Sequence, residues 1–264
     1  MRNEDTDAVF TPAESTLARR IGTRMRNHRP IVTGLAVWLA AIVALAAVMV
    51  GIGLLLTTVL LPAGVGRFDG NVGSWFVGQR TPSLTTASTI GSDIGSTVVV
   101  LGVAAIAVVV LAVGRHWRQI GFLVCAMTVE FTVFLTATLF VDRRRPDVPR
   151  LDATPPTSSY PSGHTAASIA LYVGLAIVIW SLVRSTAVRT VIWVLAVAVP
   201  IFVGLSRLYR GMHHLTDVLG SVVLGCAALV VALLATRSAV AASEARAAEP
   251  VPLVRSETSL GMAS

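Results

Sequence analysis

Long apolar runs separated by short polar loops dominate the chain. Six runs reach the length of about 20 residues that an α-helix needs to cross the hydrocarbon core of a bilayer. They span residues 33–61, 94–113, 119–141, 164–183, 187–206 and 214–236. This pattern predicts an all-α polytopic membrane protein in which six transmembrane helices form a bundle.

The polar segments on either side of these runs divide the chain into three parts. Residues 1–32 are predicted to form a basic cytoplasmic N-terminal segment, residues 33–236 the membrane domain, and residues 237–264 a disordered cytoplasmic tail. Within the membrane domain, aromatic and apolar residues recur at helical spacing over 67–79. That segment is either a short amphipathic helix in the outer membrane interface or an ordinary loop with aromatic anchors.

Composition supports a membrane protein and narrows its chemistry. Only 13% of the residues are charged, whereas soluble proteins carry about 25%. Every one of the 21 basic residues is an arginine, which keeps its charge in all environments and can bind phosphate oxygens through two parallel hydrogen bonds. Cys125 and Cys226 lie in apolar runs, so we expect neither a disulfide nor a cysteine metal site.

The distribution of arginines predicts the orientation of the chain, because cytoplasmic loops are enriched in basic residues. With six spans, one side of the membrane receives Arg19, Arg20, Arg24, Arg26, Arg29, Arg115, Arg118, Arg184, Arg189 and Arg237. We therefore expect a plasma-membrane protein with both termini in the cytoplasm. The opposite side holds a second cluster, formed by Arg143, Arg144, Arg145, Arg150, Arg207 and Arg210. An anionic ligand at the outer face would explain that cluster.

Two histidines stand at the predicted outer ends of the spans. His213 and Asp217 are four residues apart, so on a helix they would share one face. A carboxylate beside an imidazole can hold one ring nitrogen protonated and leave the other free as a base or nucleophile. His164 closes the sequence Pro-Ser-Gly-His at the start of the fourth run. It would lie in the first turn of the fourth span, facing whatever is bound there.

The residues before His164 are typical of a helix start. Ser162 is a suitable N-cap for the helix that follows, and the free N–H groups of such a helix end form an anion site. Gly163 would let a ligand approach the backbone closely. Arg145 precedes Pro146 after the third run and would project toward the same region.

Taken together, these motifs resemble the type-2 phosphatidic acid phosphatase superfamily, in its bacterial membrane branch. The family pattern is a lysine, six residues and Arg-Pro, then Pro-Ser-Gly-His, then Ser-Arg, five residues, His, three residues and Asp. The second and third parts match at every defined position, ending at Ser206-Arg207, His213 and Asp217. The first part departs from the pattern, because Thr138 occupies the lysine position.

The resemblance implies a phosphatase that forms a phosphohistidine intermediate. In that scheme, His213 attacks phosphorus, Asp217 orients His213, and His164 protonates the leaving group and then activates water. The phosphoryl oxygens would be bound by Arg145, Arg207, Ser162 and the Gly163 N–H. Arg144 is a further candidate, because it or Arg143 could supply the charge that Thr138 lacks.

A site at the outer face of a chain with little soluble mass suits a lipid substrate. The resemblance points to a polyprenyl diphosphate, which we favour, or to a phosphatidic acid-type lipid. We expect no metal ion or other cofactor, because the sequence holds no cluster of carboxylates that would bind magnesium. We also expect no nucleic-acid partner.

Other functions stay open at this point. The scaffold could serve a non-catalytic lipid-binding or transport protein, or an enzyme that transfers phosphate to an acceptor other than water. The motifs also resemble those of soluble haloperoxidases, but the six predicted spans argue against that function. Glu130 lies near the middle of the third run, and it either bonds to a neighbouring helix or contributes to a substrate or proton path.

Overall fold

Helices form every regular element in the part of the chain that the computed structural model describes, which is residues 9–154 and 156–248. They are α1 (Leu17–Arg24), α2 (Pro30–Leu55), α3 (Gly66–Gly78), α4 (Pro82–Ile94), α5 (Thr97–Val113), α6 (Trp117–Phe140), α7 (Gly163–Leu182), α8 (Thr186–Tyr209) and α9 (Leu215–Ala247). A π-helical stretch, Leu56–Val65, joins α2 to α3, and a shorter one, Ile169–Val173, lies within α7.

The membrane-spanning pattern confirms the predicted fold class. Five helical stretches are long and apolar enough to cross a bilayer, and α4 with α5 makes a sixth span if this bent pair counts as one. The two members of that pair meet at 49°. The hydrophobic pattern missed α4, which is rich in serine and threonine. It starts at Thr81, whose hydroxyl accepts a hydrogen bond from the Leu84 N–H at 3.2 Å.

The surface of the bundle is apolar, as a bilayer requires. Large side chains such as Val98, Ile106 and Leu139 are more than half exposed along the spans. The interior is filled by small residues and by fully buried side chains such as Met49 and Leu224. Helix α9 packs against α2, α6 and α7 and so runs through the centre of the bundle.

The C-terminal part of α9 corrects one expectation. Residues 237–247 are helical, so the prediction of a disordered tail from residue 237 was wrong over this stretch. Alanine favours the helix here, and Ala241 is fully buried against α1. An ion pair between Arg19 and Glu244 also joins the two helices. The remainder of the predicted tail, residues 249–264, lies outside the described residues.

Four helix ends converge at the opposite end of the bundle from α1. Helices α6 and α8 end there, while α7 and α9 begin there. The loop between α6 and α7 and the turn between α8 and α9 therefore meet. The amphipathic segment over 67–79 is a helix, α3, and its buried Asp69 faces the same region.

Candidate active site

The loop from Asp142 to Ser162 is anchored in the bundle by Tyr160. This side chain is fully buried, and its hydroxyl donates a hydrogen bond to the Met49 carbonyl of α2 at 3.3 Å. Just before it, the Ser159 N–H donates to the Arg143 carbonyl at 2.8 Å. The loop is thereby closed on itself, which fixes the Ser159 carbonyl and the start of α7.

His213 lies in the turn between α8 and α9. Gly211 makes this turn possible, because its φ of +72° lies in the left-handed region that favours glycine. The His213 imidazole is only 5% exposed, and its Nδ1 is 2.8 Å from the Ser159 carbonyl oxygen. Since a carbonyl can only accept, Nδ1 carries the proton and Nε2 is unprotonated. Nε2 lies 3.4 Å from Nη1 of Arg145.

The relation between His213 and Asp217 differs from the one that their spacing predicts. His213 precedes α9 instead of lying on it, and the shortest distance from its Nδ1 to the Asp217 carboxylate is 3.8 Å. That distance is too long for a hydrogen bond. The Ser159 carbonyl therefore sets the tautomer, and Asp217 acts on His213 through its charge. A four-residue spacing indicates a shared helical face only where both residues are helical.

Asp217 is instead the central acceptor of a buried network. Its carboxylate accepts hydrogen bonds from the Ser159 hydroxyl at 2.5 Å and from the His214 N–H at 2.8 Å, and it pairs with the Arg143 guanidinium. The hydrogen bond from the His214 N–H to Asp217 caps the N-terminus of α9. Asp217 thus holds together the loop, the turn and the first turn of α9.

Arg143 and Asp69 complete this network. The Arg143 guanidinium lies between two buried carboxylates and contacts Asp69 at 2.6 Å as well as Asp217. Asp69 also accepts from the hydroxyl of Thr216 at 2.5 Å. Motif reasoning missed Asp69, because no motif includes it. The one available signal was a lone carboxylate on the apolar face of an amphipathic segment.

Burial lowers the pKa of His213 below its ordinary value of about 6.5. The charges of Arg145 and Arg207 act in the same direction, whereas the Asp217 carboxylate opposes them. The imidazole is therefore neutral at pH values near 7, which is the form that can act as a nucleophile.

A cavity of about 560 Å³ joins the two histidines to the membrane interior. At its polar end lie His164, His213, Arg145 and Arg207. Its deeper walls are mainly apolar and include Val100, Leu101, Met127, Phe131 and Phe134, with Glu130 and two threonines among them. Leu101 and Phe131 also face the outside of the bundle. The cavity thus reaches the lipid-facing surface between α5 and α6.

Two arginines at the polar end have unused donors. Arg145 donates to the Met212 carbonyl at 2.7 Å, and Arg207 donates to Asp152 at 2.9 Å. In both side chains the Nε–H is buried and has no hydrogen-bond partner. Since buried donors are normally satisfied, each of these two side chains can donate a further hydrogen bond.

Asp152 is a second carboxylate that sequence reasoning missed. It accepts hydrogen bonds from Arg207 and from Arg210, and so fixes both guanidinium groups. Burial alone would raise the pKa of Asp152, but these bonds and charges hold it below the usual range. The carboxylate therefore stays ionised and orients Arg207 toward the cavity. Its position in an irregular loop gave no periodic signal.

The other residues predicted from the sequence differ in whether they line the cavity. Gly163 lines the cavity and packs against the ring of Phe134, so closely that an added Cβ would lie 2.9 Å from it. Ser162 occupies the N-cap position of α7, as predicted, but its side chain is fully buried behind the cavity beside Thr165. Arg144 is exposed and lines outer grooves instead of the cavity. Thr138 is likewise outside the cavity, in one of those grooves.

Two imidazoles and two arginines line one cavity of an α-helical membrane protein, and such groups can bind an anion and carry out nucleophilic and acid–base chemistry. Residues 119–240, which include these four side chains, match the model of the PAP2 superfamily. This segment, which is just under half of the chain, is similar to that superfamily.

Individual proteins are also similar to this chain. The chain is 32% identical to phosphatidylglycerophosphatase B of Bacillus subtilis (strain 168) over 87 residues, a match that covers 33% of this chain and 42% of the relative. Among solved structures, the transmembrane PAP2 type phosphatidylglycerolphosphate phosphatase from Bacillus subtilis is similar with a TM-score of 0.56 and 21% identity. That similarity covers 75% of this chain and 93% of the other, and it shows a shared fold. Aquifex aeolicus LpxE is also similar, with 20% identity, a TM-score of 0.48 and coverage of 61% and 92%.

Proposed function

We propose that the protein is a membrane phosphatase that removes phosphate from a lipid phosphate or diphosphate through a phosphohistidine on His213. The observation that carries this proposal is one cavity lined by a neutral imidazole with an unprotonated Nε2 and by two arginines with unused donors. The PAP2 family match and the relative described as a phosphatidylglycerophosphatase support the reaction type.

In the first step, the Nε2 lone pair of His213 attacks phosphorus and forms a P–N bond. The P–O bond to the leaving group breaks, and His164 donates a proton to the departing oxygen. Arg145 and Arg207 stabilise the negative charge on the phosphoryl oxygens, which is the main task of a protein in phosphoryl transfer. In the second step, His164 takes a proton from water, the water oxygen attacks phosphorus, and the P–N bond breaks to release phosphate and restore His213.

The shape of the cavity supports a lipid substrate. Its polar end would hold the phosphoryl group, while its apolar walls and its opening between α5 and α6 would hold a hydrocarbon tail. The asymmetric distribution of arginines supports an orientation in which both termini are cytoplasmic and the cavity mouth lies at the outer face.

A phosphate-release assay tests the proposed function directly. The purified full-length protein in detergent is expected to release phosphate from at least one of phosphatidic acid, phosphatidylglycerol phosphate and a polyprenyl diphosphate. We expect the rate to be the same with and without EDTA, because the arginines supply the positive charge that a metal ion would otherwise provide. Absence of release from every lipid would favour the non-catalytic alternative, and strong inhibition by EDTA would contradict metal independence.

The charge state of His213 gives a second expectation. Because burial lowers its pKa, the imidazole should become protonated only below about pH 6.5, and nucleophilic attack should be lost as the pH falls through that lower value. Nuclear magnetic resonance of ring-labelled histidine can follow this titration, with the resonance assigned by a His213→Gln variant. A midpoint above about 7 would contradict the buried, neutral imidazole.

A further inference from the structure

Glu130 is a buried acid that the proposed mechanism does not use. It lies in the middle of α6, is only 3% exposed, and lines the same cavity as His164 and Arg207. Within the described residues, its carboxyl group has no hydrogen bond and no ion pair. The expectation of a bond to a neighbouring helix is therefore not met, and the side chain faces the cavity unpartnered.

An unpaired acid at this depth is costly. Ionisable side chains within a membrane are rare, because each costs several kcal/mol unless it is paired or faces a functional cavity. The neighbouring walls are formed by Val100, Met127 and Phe131 and by two threonines, Thr128 and Thr132, and among the described residues none of these bonds to the acid. In its neutral form, a carboxyl group donates one hydrogen bond and accepts others. A ligand with polar groups at the same depth would satisfy it.

The position of Glu130 shows which part of a ligand it would meet. It precedes Phe134 by four residues on α6, and the Phe134 ring packs against Gly163 at the start of α7. With a rise of about 1.5 Å per residue, Glu130 is about 6 Å deeper along the helix than Phe134. A ligand whose phosphoryl group lies between His213 and Arg207 would therefore present to Glu130 the atoms a few bonds beyond the phosphate.

We propose that Glu130 is a specificity determinant that hydrogen-bonds the hydroxyl or ester oxygens of a glycerolipid phosphate. This inference rests on the proposed function and narrows its substrate class. A phosphatidic acid-type lipid has ester groups a few bonds from its phosphate, so it would pair with the buried carboxyl. A prenyl phosphate places only hydrocarbon at that depth and would leave the acid unsatisfied. The cavity thus favours the glycerolipid over the polyprenyl substrate.

Two variants of similar size test this role. Glu130→Leu removes every hydrogen-bonding atom, whereas Glu130→Gln keeps both a donor and an acceptor. The readout is kcat/KM for dioleoyl phosphatidic acid divided by kcat/KM for farnesyl phosphate, two phosphomonoesters that differ in the atoms next to the phosphate. We expect the ratio to fall about tenfold in the leucine variant and to change by less than about threefold in the glutamine variant, since one buried hydrogen bond has roughly that effect.

The outcomes separate specificity from structure. An equal fall for both substrates in the leucine variant would contradict the proposal and indicate a structural role or a proton path. A ratio equal to that of the unmodified protein would contradict it as well. If the unmodified protein released no phosphate from either lipid, or released as much after His213→Ala, the proposed function itself would fail.

Discussion

Replacement of His213 by alanine is expected to lower kcat by a factor on the order of 10⁴ or more, as loss of a covalent nucleophile does. The variant keeps both arginines and His164, so phosphate should still bind. It lacks the Nε2 lone pair that would form the P–N bond, and the remaining groups can only assist a slow direct attack by water. The measurement is the rate of phosphate release from the best lipid substrate under saturating conditions.

A matched control distinguishes lost chemistry from lost structure. His116 precedes α6 at the other end of the bundle, outside the cavity, and makes no side-chain cap to that helix. His116→Ala should therefore retain activity. The His213 side chain has two hydrogen-bond contacts, to the Ser159 carbonyl and to Arg145, so its removal should cost about 1–3 kcal/mol of stability. A loss of activity smaller than about tenfold in His213→Ala would show that another group is the nucleophile.

Replacement of Arg143 by methionine is expected to destabilise the fold by about 3–5 kcal/mol, the usual cost of removing one partner from a buried ion pair. Arg143 is the cation between Asp69 and Asp217, and both carboxylates are buried. Without Arg143, two negative charges would remain in a region closed to water. Thermal unfolding in detergent would report the loss, and activity should fall with it because Asp217 fixes the turn that carries His213.

The next residue provides a close control for this substitution. Arg144 is exposed, and its backbone carbonyl, which a side-chain substitution leaves in place, contacts the His214 ring at 3.3 Å. Arg144→Met should therefore change the free energy of unfolding by less than about 0.5 kcal/mol. Adding Asp69→Asn to Arg143→Met should recover part of the stability, since it removes one of the uncompensated charges. Equal unfolding temperatures for the two single variants would contradict the role of Arg143.

Much of the fold could be predicted because hydrocarbon imposes a simple length rule on apolar runs. The rule identified the spans but missed α4, whose serine and threonine side chains reduce hydropathy without preventing a helix. The rule also ended the last span just before residue 237, where hydropathy falls. In the structure, α9 continues past that residue and packs against α1 through small alanine side chains. Hydropathy measures transfer to lipid, and it carries little information about packing between two helices at the membrane surface.

In the candidate site, only the residues that belong to sequence motifs could be predicted. The motifs, and their predicted position on the same side of the membrane, brought His164 and His213 into one hypothesis, and both line one cavity. The supporting carboxylates were missed, because Asp69 and Asp152 come from an amphipathic helix and an irregular loop that approach the site only in three dimensions. The absent lysine at Thr138 suggested Arg143 or Arg144 as a substitute, and Arg144 is exposed outside the cavity. The structure instead places Arg143 in a buried pair with Asp217, away from the cavity.

The measurement that tests the central claim most directly is isolation of the phosphorylated protein. Brief reaction with a ³²P-labelled lipid phosphate, followed by denaturation in alkali, should leave label on the peptide that contains His213, and mild acid should release that label. His213→Ala should acquire none. Label on a different residue, or turnover by the unmodified protein with no labelled peptide at any reaction time, would contradict His213 as the group that carries the phosphate.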